Sequence, residues 1–152
     1  VPAMIAVIVA TSACAPPPPD ELKAQGGEQV YAQLCAKCHA PDGQSRAVLA
    51  PPLAVHAVKL LEAGGRRHFI RVVLNGMSGP IEVAGRRYND MMSPLRYLKD
   101  DQVADVLNFV LKSWGNDLLL PKDFQPFTAE EVRKAREPVA SPREIAKERP
   151  AL

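Results

Sequence analysis

The sequence predicts an all-α domain whose loops gather around a centre that side chains alone do not fill. Three observations point there. Between residues 100 and 114, Val103, Val106, Leu107, Val110, Leu111 and Trp114 repeat at the spacing of one helix face. Other helix-periodic segments are separated by Gly- and Pro-rich loops, and one short stretch alone has strand character. Aromatic residues are only 5% of a chain that is 47% hydrophobic, so the core must be completed by some other bulky apolar body. At 152 residues the chain has the length of one domain.

Taken in order, residues 25–36 read as a helix with Val30, Tyr31, Leu34 and Cys35 on one face. Residues 41–52 are rich in Pro, Gly and Ser and read as a loop. A short helix over 56–63 is closed by Gly64–Gly65, and another over 66–74 stops before Asn75–Gly76. Residues 81–88 read as a small hairpin turning at Ala84–Gly85. The helix over 100–114 has Asp100 as its expected N-cap and Gly115 as its stop. From Pro121 the chain turns Pro-rich and charged. Thr128, followed three residues later by Glu131, has capping-box form and predicts a short helix to about Arg136. Little fixed structure is expected beyond Pro138. The chain thus divides into a leader and spacer (1–20), a folded domain (21–119) and a charged tail with one short helix (120–152).

Residues 1–13 are apolar and uncharged, too short to span a bilayer but suited to the core of a secretory signal, which a basic leader would precede. Thr11–Ser12–Ala13–Cys14 is similar to a bacterial lipoprotein box, with Thr11 where Leu or Val is usual. Cys14 is therefore a candidate lipid anchor, against the alternative of an ordinary cleaved signal. Pro16 to Pro19 would form a semi-rigid polyproline spacer or part of a disordered start. The formal net charge of +2, with both signs mixed along the chain, gives no indication of nucleic-acid binding. Three cysteines, an odd number, argue against a pure disulfide framework.

Cys35–Ala36–Lys37–Cys38–His39 carries the chemistry. Two cysteines three apart on a helical turn can each reach one vinyl group of the same porphyrin and form a thioether. The histidine that follows then points its imidazole at the iron from the same side, with its other nitrogen held by an acceptor. Other readings exist for the pattern. A structural zinc site needs four ligands, and His56 and His68 are isolated in sequence. A thioredoxin-like pair wants a βαβ setting, which the periodicity does not show. A plain disulfide is open to exported thiols.

Over residues 27–116 the chain resembles a class I, monohaem bacterial cytochrome c. Gly27 and Tyr31 match the family's glycine and aromatic residue eight and four positions before the first haem cysteine, and Val106 and Phe109 match the receiving positions on the last helix. Pro51–Pro52–Leu53 resembles the family's Pro-x-Leu loop, in which the first proline's carbonyl takes the ligand imidazole's proton; this implies Pro51, with Pro52 the alternative register. Tyr88–Asn89–Asp90–Met91–Met92–Ser93–Pro94 resembles the family's Tyr-Asn-Gly-x-Met-Pro stretch. That match implies Met92 as sixth ligand; Met91 beside it and Met77 on a Gly-rich loop are the alternatives. Tyr88, Asn89 and Arg87 are candidate partners for the haem propionates. Asn75–Gly76, Gly79–Pro80 and Gly85 to Asn89 resemble the segment before the ligand in cytochromes attached to copper nitrite reductases, terminal oxidases and membrane dehydrogenases.

The resemblance implies one covalently bound haem c with His39 and Met92 as iron ligands, and a cytochrome c fold of helices and loops wrapped around it. Two protein ligands close the iron, which favours electron transfer over catalysis, and a thioether favours the ferrous state. Donor and acceptor would be redox proteins, met in short-lived encounters that Lys37 and Arg86–Arg87 could steer. The expected place is the periplasm, free or lipid-anchored. A cytochrome subunit of a larger redox enzyme is the second reading, favoured by the tail after Asn116. A haem enzyme or sensor with a labile sixth ligand is the third.

Overall fold

A computed structural model of the chain describes residues 26–46 and 49–152. The leader, Cys14 and the proline run lie outside the described residues. The order of elements is α1 (Gly27–Val30), a π-helical turn (Tyr31–Cys35), α2 (Ala36–His39), α3 (His56–Glu62), α4 (Arg66–Asn75), β1 (Ile81–Val83), β2 (Arg86–Tyr88), α5 (Asp100–Lys112), a 3₁₀ turn (Asn116–Leu119), α6 (Ala129–Ala135) and α7 (Pro142–Lys147). The two strands form one antiparallel hairpin in which Ile81 faces Tyr88 and Val83 faces Arg86. Ala84 and Gly85 both take positive φ at its tip, 51° and 73°. That is the turn whose twist suits a two-residue hairpin.

Helix α5 is the centre of the core. Val103, Val106, Leu107, Val110 and Leu111 are all buried, as their spacing requires. Its N-cap is Lys99 rather than the expected Asp100. Gln102 Oε1 accepts the Lys99 N–H at 2.8 Å, while the Asp100 carboxylate is drawn sideways to Arg136 Nε at 2.6 Å. At the other end Trp114 and Gly115 take positive φ and stop the helix.

The N-terminal helix crosses α5 closely. A Cβ on Gly27 would stand 2.1 Å from the Asp105 carbonyl oxygen and 3.0 Å from Phe109 Cβ. Glycine is what permits this contact. Tyr31 wedges beside it, with ring centroids 5.4 Å from Phe109 and 5.0 Å from Trp114. Such tilted aromatic contacts hold more than their buried area alone would.

The tail differs from expectation. It carries two helices, not one, and both pack onto the domain. Thr128 and Ser141 each accept from the backbone N–H three residues on, and Glu131 and Glu144 reach back in return. Pro142 occupies the first turn of α7, where a missing N–H costs nothing. Val132 and Ile145 are fully buried. The charges that read as a solvated tail are paired with the domain. Arg66 reaches Glu131 at 2.7 Å, Arg136 reaches Asp100, and Arg71, only 2% exposed, forks onto Glu148 at 2.7 and 2.8 Å.

Two histidines lie under the tail's end. His56 Nε2 meets Arg149 Nη2 at 2.8 Å, and both ring nitrogens of buried His68 lack a hydrogen-bond partner. Burial first, then the neighbouring Arg149, pushes each from 6.5 down to about 4; Lys59 adds to this at His56, and at His68 Arg71 adds while Glu148 opposes. Between those values the folded chain binds fewer protons than the unfolded chain, so stability falls as pH drops. Denaturant midpoints are therefore expected to fall between pH 6.5 and about 4. His68→Phe should flatten the upper part of that slope, above the ordinary carboxylate range. A midpoint independent of pH over this window would contradict the arrangement.

Candidate haem site

The Cys35–His39 motif sits where the N-terminal helix ends. The π turn from Tyr31 to Cys35 widens the helix just before the first cysteine. Helices take such single wide turns mostly at functional positions. Ala40, at φ 61°, then leaves the helical path. Cys35 is half-buried and Cys38 exposed, and no disulfide joins them. Burial, then the neighbouring Cys38, pushes the Cys35 thiol up to about 12, so it stays protonated at neutral pH.

His39 is fixed through one ring nitrogen. Its Nδ1–H donates to the Pro51 carbonyl at 2.9 Å. This sets the tautomer and leaves Nε2 with the ring's unprotonated lone pair. Burial lowers the His39 pKa, and the Pro51 hydrogen bond opposes that shift; the neutral, ligating form is favoured.

The loop that presents Pro51 is tied down from three directions. The Gly43 carbonyl accepts the N–H groups of Leu53 at 2.7 Å and Ala54 at 3.1 Å. The Ser45 hydroxyl donates to the Ala50 carbonyl. Asn116, fully buried, accepts the Val55 N–H at 2.6 Å and donates to the carbonyls of Leu53 and Val110 at 3.3 and 2.8 Å. One side chain thus joins the end of α5 to the loop. Trp114 completes the joint: its Nε1–H donates to the Pro41 carbonyl at 3.1 Å, and its ring lies so near Gly43 that a Cβ there would be 2.3 Å away. From the sequence, Trp114 reads as the last residue of a helix stripe and Asn116 as the point where the tail begins. Their role depends on a loop some 60 residues away in the chain and leaves no local pattern.

Met92 lies on an extended segment that pairs with Met77. The Met77 N–H donates to the Met92 carbonyl at 3.1 Å, and the Met92 N–H returns to the Met77 carbonyl at 2.9 Å. Gly76 makes the approach possible, since a Cβ there would sit 2.4 Å from the Met92 carbonyl oxygen. Adjacent side chains of an extended segment face opposite ways. Met92 is half-buried against the core with Cys35, Leu53 and Leu95, whereas Met91 is 65% exposed. Tyr97 follows five residues later, and its hydroxyl is pushed up first by burial and then by Cys35.

Tyr88 is buried in the hairpin opposite Ile81. Asn89 is exposed and lines an open cavity with Ser78, Arg143 and Lys147. Arg87 and Lys37 are exposed. Among the described residues no three His, Cys, Asp or Glu side chains converge as a metal site, so the zinc reading finds no further ligands. The donors present suit a porphyrin iron: two thiols and one oriented imidazole from a single turn, and a thioether against the same core from a separate loop.

Known proteins place this arrangement. The Cytochrome c family profile matches residues 24–114. The chain is 45% identical over 127 residues to cytochrome c-552 of Thermus thermophilus, covering 83% of this chain and 95% of that one. It is 33% identical over 118 residues to the cytochrome c subunit of alcohol dehydrogenase (quinone) from Gluconacetobacter polyoxogenes, covering 76% of this chain and 24% of the subunit. It is 37% identical over 98 residues to the cytochrome c subunit of gluconate 2-dehydrogenase from Pantoea cypripedii, 21% of whose length is matched. With its helical fold and the Cys35–His39 turn, the chain belongs to the cytochrome c family, whose members transfer electrons on covalently bound haem.

Proposed function

We propose that the chain carries electrons one at a time on a single haem c, linked through Cys35 and Cys38, with His39 Nε2 and Met92 Sδ as iron ligands. Such a haem supplies an iron that alternates between the ferrous and ferric states. Cys35 and Cys38 would hold the porphyrin through thioether bonds formed by addition of their thiols to its two vinyl groups. The observation that carries the reading is the 2.9 Å bond from His39 Nδ1 to Pro51. It fixes the tautomer and leaves the lone pair of the other imidazole nitrogen for the iron.

The protein's part is to hold these donors still and keep water out. With His39 and Met92 both holding the iron, no position would be left for oxygen or peroxide. The thioether of Met92 raises the reduction potential relative to a second imidazole. Pro51 and Met92 are each held by backbone bonds in their loops, so little moves when the charge changes. Tyr88, Asn89 and Arg87 are the side chains proposed to meet the propionates. Lys37, Arg86 and Arg87 would steer an acidic redox partner.

The apolar leader and the thioether chemistry support an extracytoplasmic carrier, with Cys14 as its lipid anchor and Pro16 to Pro19 as its spacer. A free-standing carrier is favoured over an enzyme subunit. The Thermus relative is matched over 95% of its length, and the tail's apolar residues Val132 and Ile145 are already consumed within this chain.

The test is spectroscopic. The oxidised, matured protein should show the weak near-infrared band of iron bound to a thioether. Met92→Ala should abolish that band and lower the reduction potential by about 100 mV or more, as expected for a changed axial ligand. Met91→Ala should leave both unchanged. A Met92→Ala protein that kept the band would move the ligand to Met77 or Met91.

A further inference from the structure

The tail fastens to the domain on both sides of the Met92 loop. On the near side, the Ser78 N–H, next to Met77, donates to the Pro142 carbonyl at 3.0 Å. Asn75, buried at the end of α4, accepts the Ala140 N–H at 3.4 Å. On the far side, Arg96 lies four residues past Met92. Its guanidinium donates to Asn75 Oδ1 at 3.1 Å, to the Arg136 carbonyl at 2.9 Å and to Glu137 at 3.0 Å. Arg136 answers by donating to the carbonyls of Arg96 and Leu98 at 3.0 and 2.6 Å. The Met77–Met92 backbone pair therefore hangs between two anchor points, Asn75–Ser78 and Arg96–Leu98. Both are tied to residues 136–142.

We propose that this part of the tail locks the sixth-ligand loop, with Arg96 and Asn75 as positioning residues that keep Met92 in place. The proposal rests on the reading of Met92 as the ligand. A methionine thioether is a neutral, replaceable donor, so its hold on the iron depends on how rarely its loop opens. Two backbone bonds tie the ends of residues 76–95 to α4, the Gly76 N–H to the Val72 carbonyl and the Leu95 N–H to the Val73 carbonyl, both at 2.9 Å. Between those ends the Met77–Met92 pair, the packing of Met92 and Leu95 on the core, and the tail restrain the loop. Arg96 carries the most of the tail's share, since one planar guanidinium spans α4, the ligand loop and the tail together.

Cyanide tests this, because it binds ferric iron only after the resident sixth ligand has left. At saturating cyanide the rate is that of loop opening. Mixing ferric holoprotein with excess cyanide well below its melting temperature should give a slow rate for the natural chain. Arg96→Ala should raise that rate about tenfold or more, as expected for losing a charge-assisted hydrogen bond from the closed loop. Arg96→Lys, which keeps the charge but not the fork, should fall between and guards against a poorly folded alanine variant. Arg66→Ala is the control. It removes from α4 the donor to Glu131 of α6 and to the Gln125 and Pro126 carbonyls, all remote in sequence from the ligand loop, and should lower stability without changing the cyanide rate.

Equal rates in the natural chain and both Arg96 variants would overturn the lock, as would an equal acceleration by Arg66→Ala. Amide hydrogen exchange at Met77 and Met92 separates this from the ligand assignment. If Met92→Ala retains the near-infrared band, the assignment falls. Faster exchange of those two amides in Arg96→Ala would still show that the tail holds the loop, and unchanged exchange would remove the lock as well.

Discussion

Gly27→Ala is expected to destabilise the protein by about 3 kcal/mol, the upper part of the usual cost of overpacking. The added carbon would lie 2.1 Å from the Asp105 carbonyl oxygen and 2.5 Å from its carbon. Both are backbone atoms of α5 and cannot rotate away. The helices must separate, and the Tyr31–Phe109 contact at 5.4 Å separates with them. Alanine's better helix propensity returns about 1 kcal/mol at most. A melting temperature lower by about 10 °C is the readout. Gly26→Ala is the matched control, because a Cβ there meets only the end of the Gln29 side chain at 3.6 Å. Equal melting temperatures for the two variants would show that the crossing is looser than these distances.

Arg71→Ala should cost about 2–4 kcal/mol, the range for breaking a buried ion pair. Glu148 stands about a third exposed and can rehydrate, which keeps the value from the top of that range. The loss is more than one pair. Arg71 also donates to the Pro138 carbonyl at 2.9 Å, deep between α4 and the tail. Without it that oxygen loses a charged donor. The tail's end should become sensitive to protease before the rest of the chain unfolds. Arg71→Lys should recover only part of the loss, since an ammonium cannot match the two parallel bonds to Glu148. A denaturant midpoint unmoved by Arg71→Ala would refute the account of the tail as an integral part of the fold.

Local pattern explains which features could be read from the sequence. The α5 stripe, the Ala84–Gly85 turn and the Thr128 capping box each need only neighbours within a few residues, and each appears where the spacing puts it. The Cys35–His39 turn is of the same kind. Met91 and Met92 are a different case. Both are methionine, and only the backbone direction fixed by Met77 decides which side chain faces inward. Asn116, Arg71 and Arg96 were silent because their partners are distant: Arg71 meets Glu148 77 residues away. The tail misled for a related reason. Proline and charge usually mark chain that cannot bury enough to fold, but here Glu131, Glu137 and Glu148 meet arginines of the domain and Arg136 meets Asp100. Its second helix had a local signal in Ser141–Pro142–Arg143–Glu144, which the surrounding composition obscured.

The wide turn at Tyr31–Cys35 has a consequence for how this helix can vary. One extra residue in a turn sets everything after it back by roughly 100° around the axis. The azimuth of the thiols and the imidazole is thereby uncoupled from that of the stripe lying on α5. Substitutions on that stripe can alter how firmly the chain is assembled while the metal-facing side keeps its aim. A change that restored ordinary winding would swing the cysteines off their target even with every contact of Gly27 and Tyr31 intact.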